Sequence, residues 1–84
     1  MYRIRTDHQA REQIAALPDD ALESYAQVLG VLELVPWHGH PQHEDNPRGA
    51  LRQFVFGPGN HGVVIYLILD DQLCVDVLEV MWIG

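Results

Sequence analysis

The chain has 84 residues, and its twelve carboxylates outweigh five basic side chains to give a formal charge of -7; those five are Arg3, Arg5, Arg11, Arg48 and Arg52, and lysine is absent. A single domain of this length hides about 60–65% of its unfolded surface, and with 48% apolar residues it can build a core without disulfides or a structural metal, which excludes disorder as the main state. The acidic balance argues against phosphate-backbone binding as the primary activity.

Residues Tyr2 to Thr6 alternate as a short strand, with Tyr2, Ile4 and Thr6 on one face and the two arginines on the other. Thr6 or Asp7 can then cap a helix that runs to about Leu17, with Ala10, Ile14 and Leu17 along one narrow stripe. Pro18 ends that helix and suits the first turn of a second one. Asp19, Asp20 and Glu23 place negative charge at its positive end. Leu22, Tyr25, Leu29 and Leu32 are its predicted main stripe, broadened by Ala26 and Val28. From Pro36 to Gly49 no period survives, and prolines, glycines and histidines predict a loop.

Three strand-like runs follow, Ala50 to Phe56, Val63 to Leu69 and Leu73 to Trp82. The glycine-rich GPGNHG joins the first two, and Asp70-Asp71-Gln72 forms a tight loop before the third. The run VVIYLIL is apolar on both faces and marks the central strand. The predicted architecture is α+β in the order βααβββ, one domain over 1–84, with a helical hairpin packed on a mainly antiparallel four-stranded sheet. No segment approaches the ~18 apolar residues of a membrane span, and the opening MYRIRT does not read as a signal peptide. The lone Cys74 excludes an internal disulfide and fits a reducing cytoplasm.

Few residues form a recognisable chemical constellation. His38, His40 and His43 follow H-x-H-x2-H beside Glu44 and Asp45, but the prolines and glycine that interrupt the run favour a solvated loop over a metal site. Cys74 lies in an apolar strand with no basic neighbour, the pattern of a buried inert thiol. Ser24 lies in mid-helix with no nucleophile elbow around it, and GPGNHG lacks the lysine and following helix of a phosphate loop. Strict alternation would put Asp76 and Glu79 on opposite faces of the last strand. Arg52, Phe54 and Phe56 share one face. That face is either an exposed stacking surface for a base or peptide, or a helix-facing layer in which Arg52 snorkels at the edge.

In its βααβββ order, and in the segments YRIRT, IAALPDD, GALRQFVFG and GVVIYLILDDQLCVDVLEV, the chain resembles the RelE/ParE superfamily of small toxins from bacterial toxin–antitoxin pairs. The resemblance implies a cytoplasmic protein held by a cognate antitoxin, with no cofactor. RelE-like members cleave messenger RNA on the ribosome without metal, through basic side chains on the sheet and a residue near the C-terminus; ParE-like members poison gyrase. Carried onto this sequence, Arg52 matches a basic strand position, while Phe54 stands where a second basic residue is usual. Val63 or Val64 replaces the arginine of the G-Y-R-x-x-Y pattern, and Tyr66 matches its tyrosine. The C-terminal basic segment is replaced by Met81-Trp82-Ile83-Gly84, and from Gln53 onward there is no lysine or arginine.

If the chain is catalytic, Arg52 is expected to be the phosphate-stabilising cation and His61, close by in sequence, the acid–base group. Arg48 and Tyr66 would then contact the substrate, and ribosome-bound mRNA would be a partner only in that case. The alternatives are a gyrase-directed inhibitor or a non-enzymatic protein- or peptide-binding module on the same fold. Trp37 and Trp82 are either stacking residues or core, and the strand edges leave room for a homodimer.

Overall fold

A computed structural model of the chain describes residues 1–43, 45–46 and 48–83. The alternating RIRT segment forms β1 (Arg3–Thr6), followed by α1 (His8–Ala15) and α2 (Asp19–Leu34). A short 3-10 turn at Pro36–His38 leads into β2 (His40–Pro41), and then come β3 (Leu51–Phe56), β4 (Gly62–Leu69) and β5 (Cys74–Trp82). The helices start on extended residues, Asp7 and Pro18, and neither start is capped by a side chain of that residue. The β3–β4 turn uses positive φ at Gly57 (84°) and Gly59 (65°), the backbone freedom that glycine supplies.

Among the described residues the sheet has five strands in the order β1-β5-β4-β3-β2. The helical hairpin carries the chain from β1 to the opposite edge of the sheet, and the β3–β4–β5 meander brings it back. β5 therefore lies beside β1 and parallel to it, while the other pairings are antiparallel. The extra strand β2 lies in the predicted loop. It is only two residues long, and only its pairing to Gln53 and Arg52 makes it a strand.

One face of the sheet is covered by the helices. Val64, Tyr66 and Ile68 of β4 and Val75, Val77 and Val80 of β5 pack there beneath Ala10 and Leu17, together with Ala21, Tyr25, Val28 and Leu32 of α2. Tyr25 meets Phe56 edge to face, with ring centroids 5.8 Å apart. Of the predicted stripe Tyr25, Val28 and Leu32 are buried and Leu29 packs against the core, but Leu22 is 43% exposed and Ala21 is buried in its place. Ala21, four residues before Tyr25, continues the buried row by one turn, and Leu22 lies one position round the helix from it.

The other face is left uncovered. It carries Leu51, Gln53 and Val55 of β3, Val63, Ile65 and Leu67 of β4, and Glu79 and Met81 of β5, as their pairings to one another show. A register irregularity at Ile65/Tyr66 inserts one extra residue into β5, so that Asp76 pairs with Leu67 and Glu79 with Ile65. Both acidic residues therefore lie on the open side, against the alternation expected from sequence. A bulge reverses side-chain parity beyond it.

Candidate functional site

Arg52 and Tyr66 are cross-strand partners on the helix-covered face. Arg52 is only 7% exposed. Its Nη1 donates to the Gly39 carbonyl at 3.0 Å, and its guanidinium lies 4.9 Å from the centroid of the Trp37 ring. An arginine held this way has its charge delocalised over an aromatic face and its donors directed at main chain. Tyr66 is fully buried and donates from its hydroxyl to the Pro36 carbonyl at 2.6 Å. Burial pushes that phenol up to about 12, against the lowering effects of the Gly39 backbone and the Arg52 charge. A Cβ added at Gly39 would fall on the Tyr66 hydroxyl and lie 2.7 Å from the Gln53 carbonyl. Arg52, Tyr66, Trp37 and Gly39 thus form a clamp that pins the Pro36–Pro41 segment to β3 and β4.

Of the two readings of the Arg52-Phe54-Phe56 face, the structure takes the helix-facing one. Phe56 is buried, and Phe54 packs against the core with His38 6.1 Å away. His61 is exposed just before β4 and meets Trp82 edge-on at 6.1 Å. It lies five residues along the chain from Tyr66, about 16 Å at strand rise. Arg52 and His61 therefore lie toward opposite ends of the β3–β4 pairing. Arg48 is exposed on the turn before β3.

Trp82 also stacks near Phe56 at 6.3 Å, so both tryptophans make intramolecular contacts. Trp37 and Tyr2 each donate to Oδ1 of Asp70, Trp37 from 3.2 Å, which ties the N-terminus and the 3-10 turn to the β4–β5 loop. His38 and His40 line a shallow cavity of about 300 Å³ with Gly39, Phe54 and Val55. His43 does not line it, Glu44 lies outside the described residues, and no three metal-ligating side chains converge among the described residues. Cys74 is buried, with its Sγ 3.7 Å from Asp76.

The open face of the sheet is apolar and acidic where a phosphate-gripping surface needs cations. Its β3, β4 and β5 positions carry no arginine. The arginines on that side are Arg3 and Arg5, on the edge strand. Arg5 is bound in two places by Asp76, at 2.7 and 3.1 Å. The hydrogen bond from Arg5 holds the Asp76 carboxyl below its usual range.

A second arrangement at the same edge was not visible in the sequence. The Ile4 and Thr6 side of β1 borders an open groove of about 680 Å³ between the strand and the helices, lined further by Arg11, Ile14, Tyr25 and Leu29. The only available signal was the concentration of Arg3, Arg5 and Arg11 near the N-terminus. It could not be interpreted without knowing that β1 is an edge strand.

No protein-family model matches the chain, and no curated protein matches it. Solved structures do. The isolated RelE toxin of E. coli matches at a TM-score of 0.81 and 14% identity, over 100% of this chain and 86% of that one. The RelBE2 toxin–antitoxin complex of Mycobacterium tuberculosis matches at 0.71 and 22% identity, over 98% of both chains. The RelE–RelB complex of Pyrococcus horikoshii matches at 0.69 and 19% identity, over 99% of this chain and 96% of that one. The chain has the RelE toxin fold, an α+β sheet with two helices on one face. Among the described residues, no helix is long and apolar enough to cross a membrane.

Proposed function

We propose that the chain is the toxin component of a type II toxin–antitoxin system, neutralised by a cognate antitoxin and acting on a protein target rather than on RNA. The RelE fold and its recurrence in antitoxin complexes support the first part. The observation that carries the second is the open sheet face: Leu51, Val55, Val63, Ile65 and Leu67 occupy it with Glu79, and among the described residues no cation of β3, β4 or β5 points to that face, the one arginine of these strands, Arg52, lying on the helix-covered side. Metal-free RNA cleavage needs cations around a phosphorane-like transition state and an acid–base pair within reach of it. A carboxylate on an apolar sheet supplies neither and repels the phosphate backbone. In this reading Arg52 and Tyr66 are structural, while Arg48 and His61 are exposed contact residues.

Inducible expression with and without the neighbouring open reading frame tests the proposal. The expected result is growth arrest from this chain alone, relief on co-expression, and a stoichiometric complex of the two products. Unimpaired growth in every host tried would remove the toxin reading.

A further inference from the structure

We propose that the end of the molecule where α2 stops carries a docking surface for a cationic, leucine-bearing helix of a protein partner. This surface is independent of the toxin–antitoxin reading. Three segments meet there. The Glu33 carbonyl at the end of α2 accepts from the Tyr2 amide, and the Leu73 carbonyl accepts from the Arg3 amide. Asp70 accepts from both the Tyr2 hydroxyl and the Trp37 indole. Around this junction stand Leu34, Val35, Trp37 and Leu73, exposed by 66%, 52%, 39% and 54%. Apolar residues scattered singly over a surface are ordinary, whereas a cluster rimmed by polar groups marks an interaction site.

Two of the four are held in place. Leu73 follows the 3-10 turn Asp70–Gln72 and has φ 48° and ψ 50°, in the left-handed region. A bulky side chain is an outlier there, and glycine is the usual occupant of such a position in a turn. Leu73 takes no part in the core, so the strained backbone presents its side chain to solvent. Backbone strain of this kind clusters at binding sites. Trp37 is fixed by its hydrogen bond to Asp70 and by the Arg52 guanidinium 4.9 Å from the ring centroid. A tryptophan whose rotamer is already set loses little entropy on binding, and tryptophan is enriched among the anchors of protein interfaces.

Charge selects the occupant. Glu33, Asp70 and Asp71 rim the patch, and Glu33 and Asp71 have no cationic partner among the described residues. Of the neighbouring cations, Arg3 shares the open side of the sheet with Arg5, and Arg52 is buried beside Trp37. A second copy of the patch would set carboxylate against carboxylate, and an anionic membrane or a nucleic acid meets the same repulsion. Lysine or arginine beside leucine meets none. Nor is the occupant an added strand. The Tyr2 amide is already taken by Glu33, so recognition runs through side chains, which a helix presents at i, i+3, i+4 and i+7.

The test uses the intact, 15N-labelled chain and three capped helical peptides. One carries leucine at i, i+4, i+7 and i+11 with lysine and alanine elsewhere; the second replaces lysine by glutamate, and the third replaces leucine by glutamine. The leucine–lysine peptide is expected to shift the Trp37 indole signal and the Leu34, Val35 and Leu73 amides most. Leu73→Gly should weaken its binding about tenfold, the loss of one buried leucine side chain, while the thermal midpoint stays level or rises because glycine accepts positive φ. Asp71→Asn, which leaves that backbone alone, should weaken binding about threefold, the loss of one surface ion pair. Leu22→Gln, at the other end of α2, should leave it unchanged. Equal binding of either other peptide would overturn the proposal. So would shifts centred on Ile65 and Leu67, undiminished binding by Leu73→Gly, or shifts of the patch signals with protein concentration when no peptide is present. Growth effects do not enter this readout, so peptide binding by a non-toxic chain would sustain the docking surface while removing the toxin reading.

Discussion

Tyr66→Phe isolates the clamp that fixes the Pro36–Pro41 segment. The change deletes one hydroxyl and leaves the buried Pro36 carbonyl without the donor that sits 2.6 Å away. A buried hydrogen bond lost with its acceptor left in place costs roughly 1–3 kcal/mol. That is a large share of the roughly 4–13 kcal/mol that stabilises a domain of this size. Gly39→Ala attacks the same bond from the other side, because the new Cβ falls on the Tyr66 hydroxyl and lies 3.0 Å from its Cζ and 2.7 Å from the Gln53 carbonyl. Overpacking of about 1–3 kcal/mol then adds to the lost hydrogen bond, for roughly 2–6 kcal/mol. In the double variant the bond is lost once and the main clash has no hydroxyl to meet. Its cost should therefore fall short of the summed single costs by roughly 1–3 kcal/mol. Urea unfolding followed by tryptophan fluorescence measures all four corners of the cycle. Additivity within about 0.5 kcal/mol would refute the contact between Gly39 and Tyr66 on which the clamp rests.

Leu32→Ala should cost about 2–5 kcal/mol in the same assay, because Leu32 is fully buried, while Leu22→Ala should stay within about 0.5 kcal/mol; equal costs at the two positions would restore the full stripe expected from sequence. Tyr25 and Tyr66 both have folded-state values raised from 10.0 to about 12 by burial, so the unfolded chain gives up these protons first as the pH rises. The stabilisation is full below pH 10 and falls between pH 10 and 12 by roughly 3 kcal/mol per phenol, and a flat stability profile across that window would contradict the burial of these hydroxyls. Asp76 is shifted the other way, so the stability from its pairing with Arg5 is present above the unfolded carboxylate range and is lost as the pH drops through its lowered folded-state value. Asp76→Asn should flatten that acid limb in a pH series of thermal melts, with a loss at neutral pH of about 0.2–1 kcal/mol for a largely exposed pair.

The order and type of the long elements were legible in the sequence because each rests on local chemistry. Pro18 separates the helices, the YRIRT alternation and the VVIYLIL run mark an outer and a central strand, and glycines mark the β3–β4 turn. What escaped was decided by partners distant in sequence. His40 and Pro41 are a strand only because Gln53 and Arg52 lie opposite them. Glu79 joins Asp76 on the open face only because one extra residue in β5 reverses the alternation. Arg52 could be placed on a face with Phe54 and Phe56, but the sequence could not say which face the helices cover. The choice turns on the helix-side burial of Val64, Tyr66 and Phe56, and it makes Arg52 part of a structural clamp. The groove beside Tyr25 depends on β1 being an edge strand, which follows from the whole topology.

The proposed function requires this chain to act through protein contacts across its acidic, largely apolar sheet face and to leave RNA intact. The most direct measurement is primer extension on a defined message bound to translating ribosomes, incubated with the purified chain at up to equimolar concentration with the ribosomes. A full-length message is expected at every time point. Site-specific breaks in the ribosome-bound message that depend on this chain and are abolished by Arg52→Ala or His61→Ala in folded protein would contradict it.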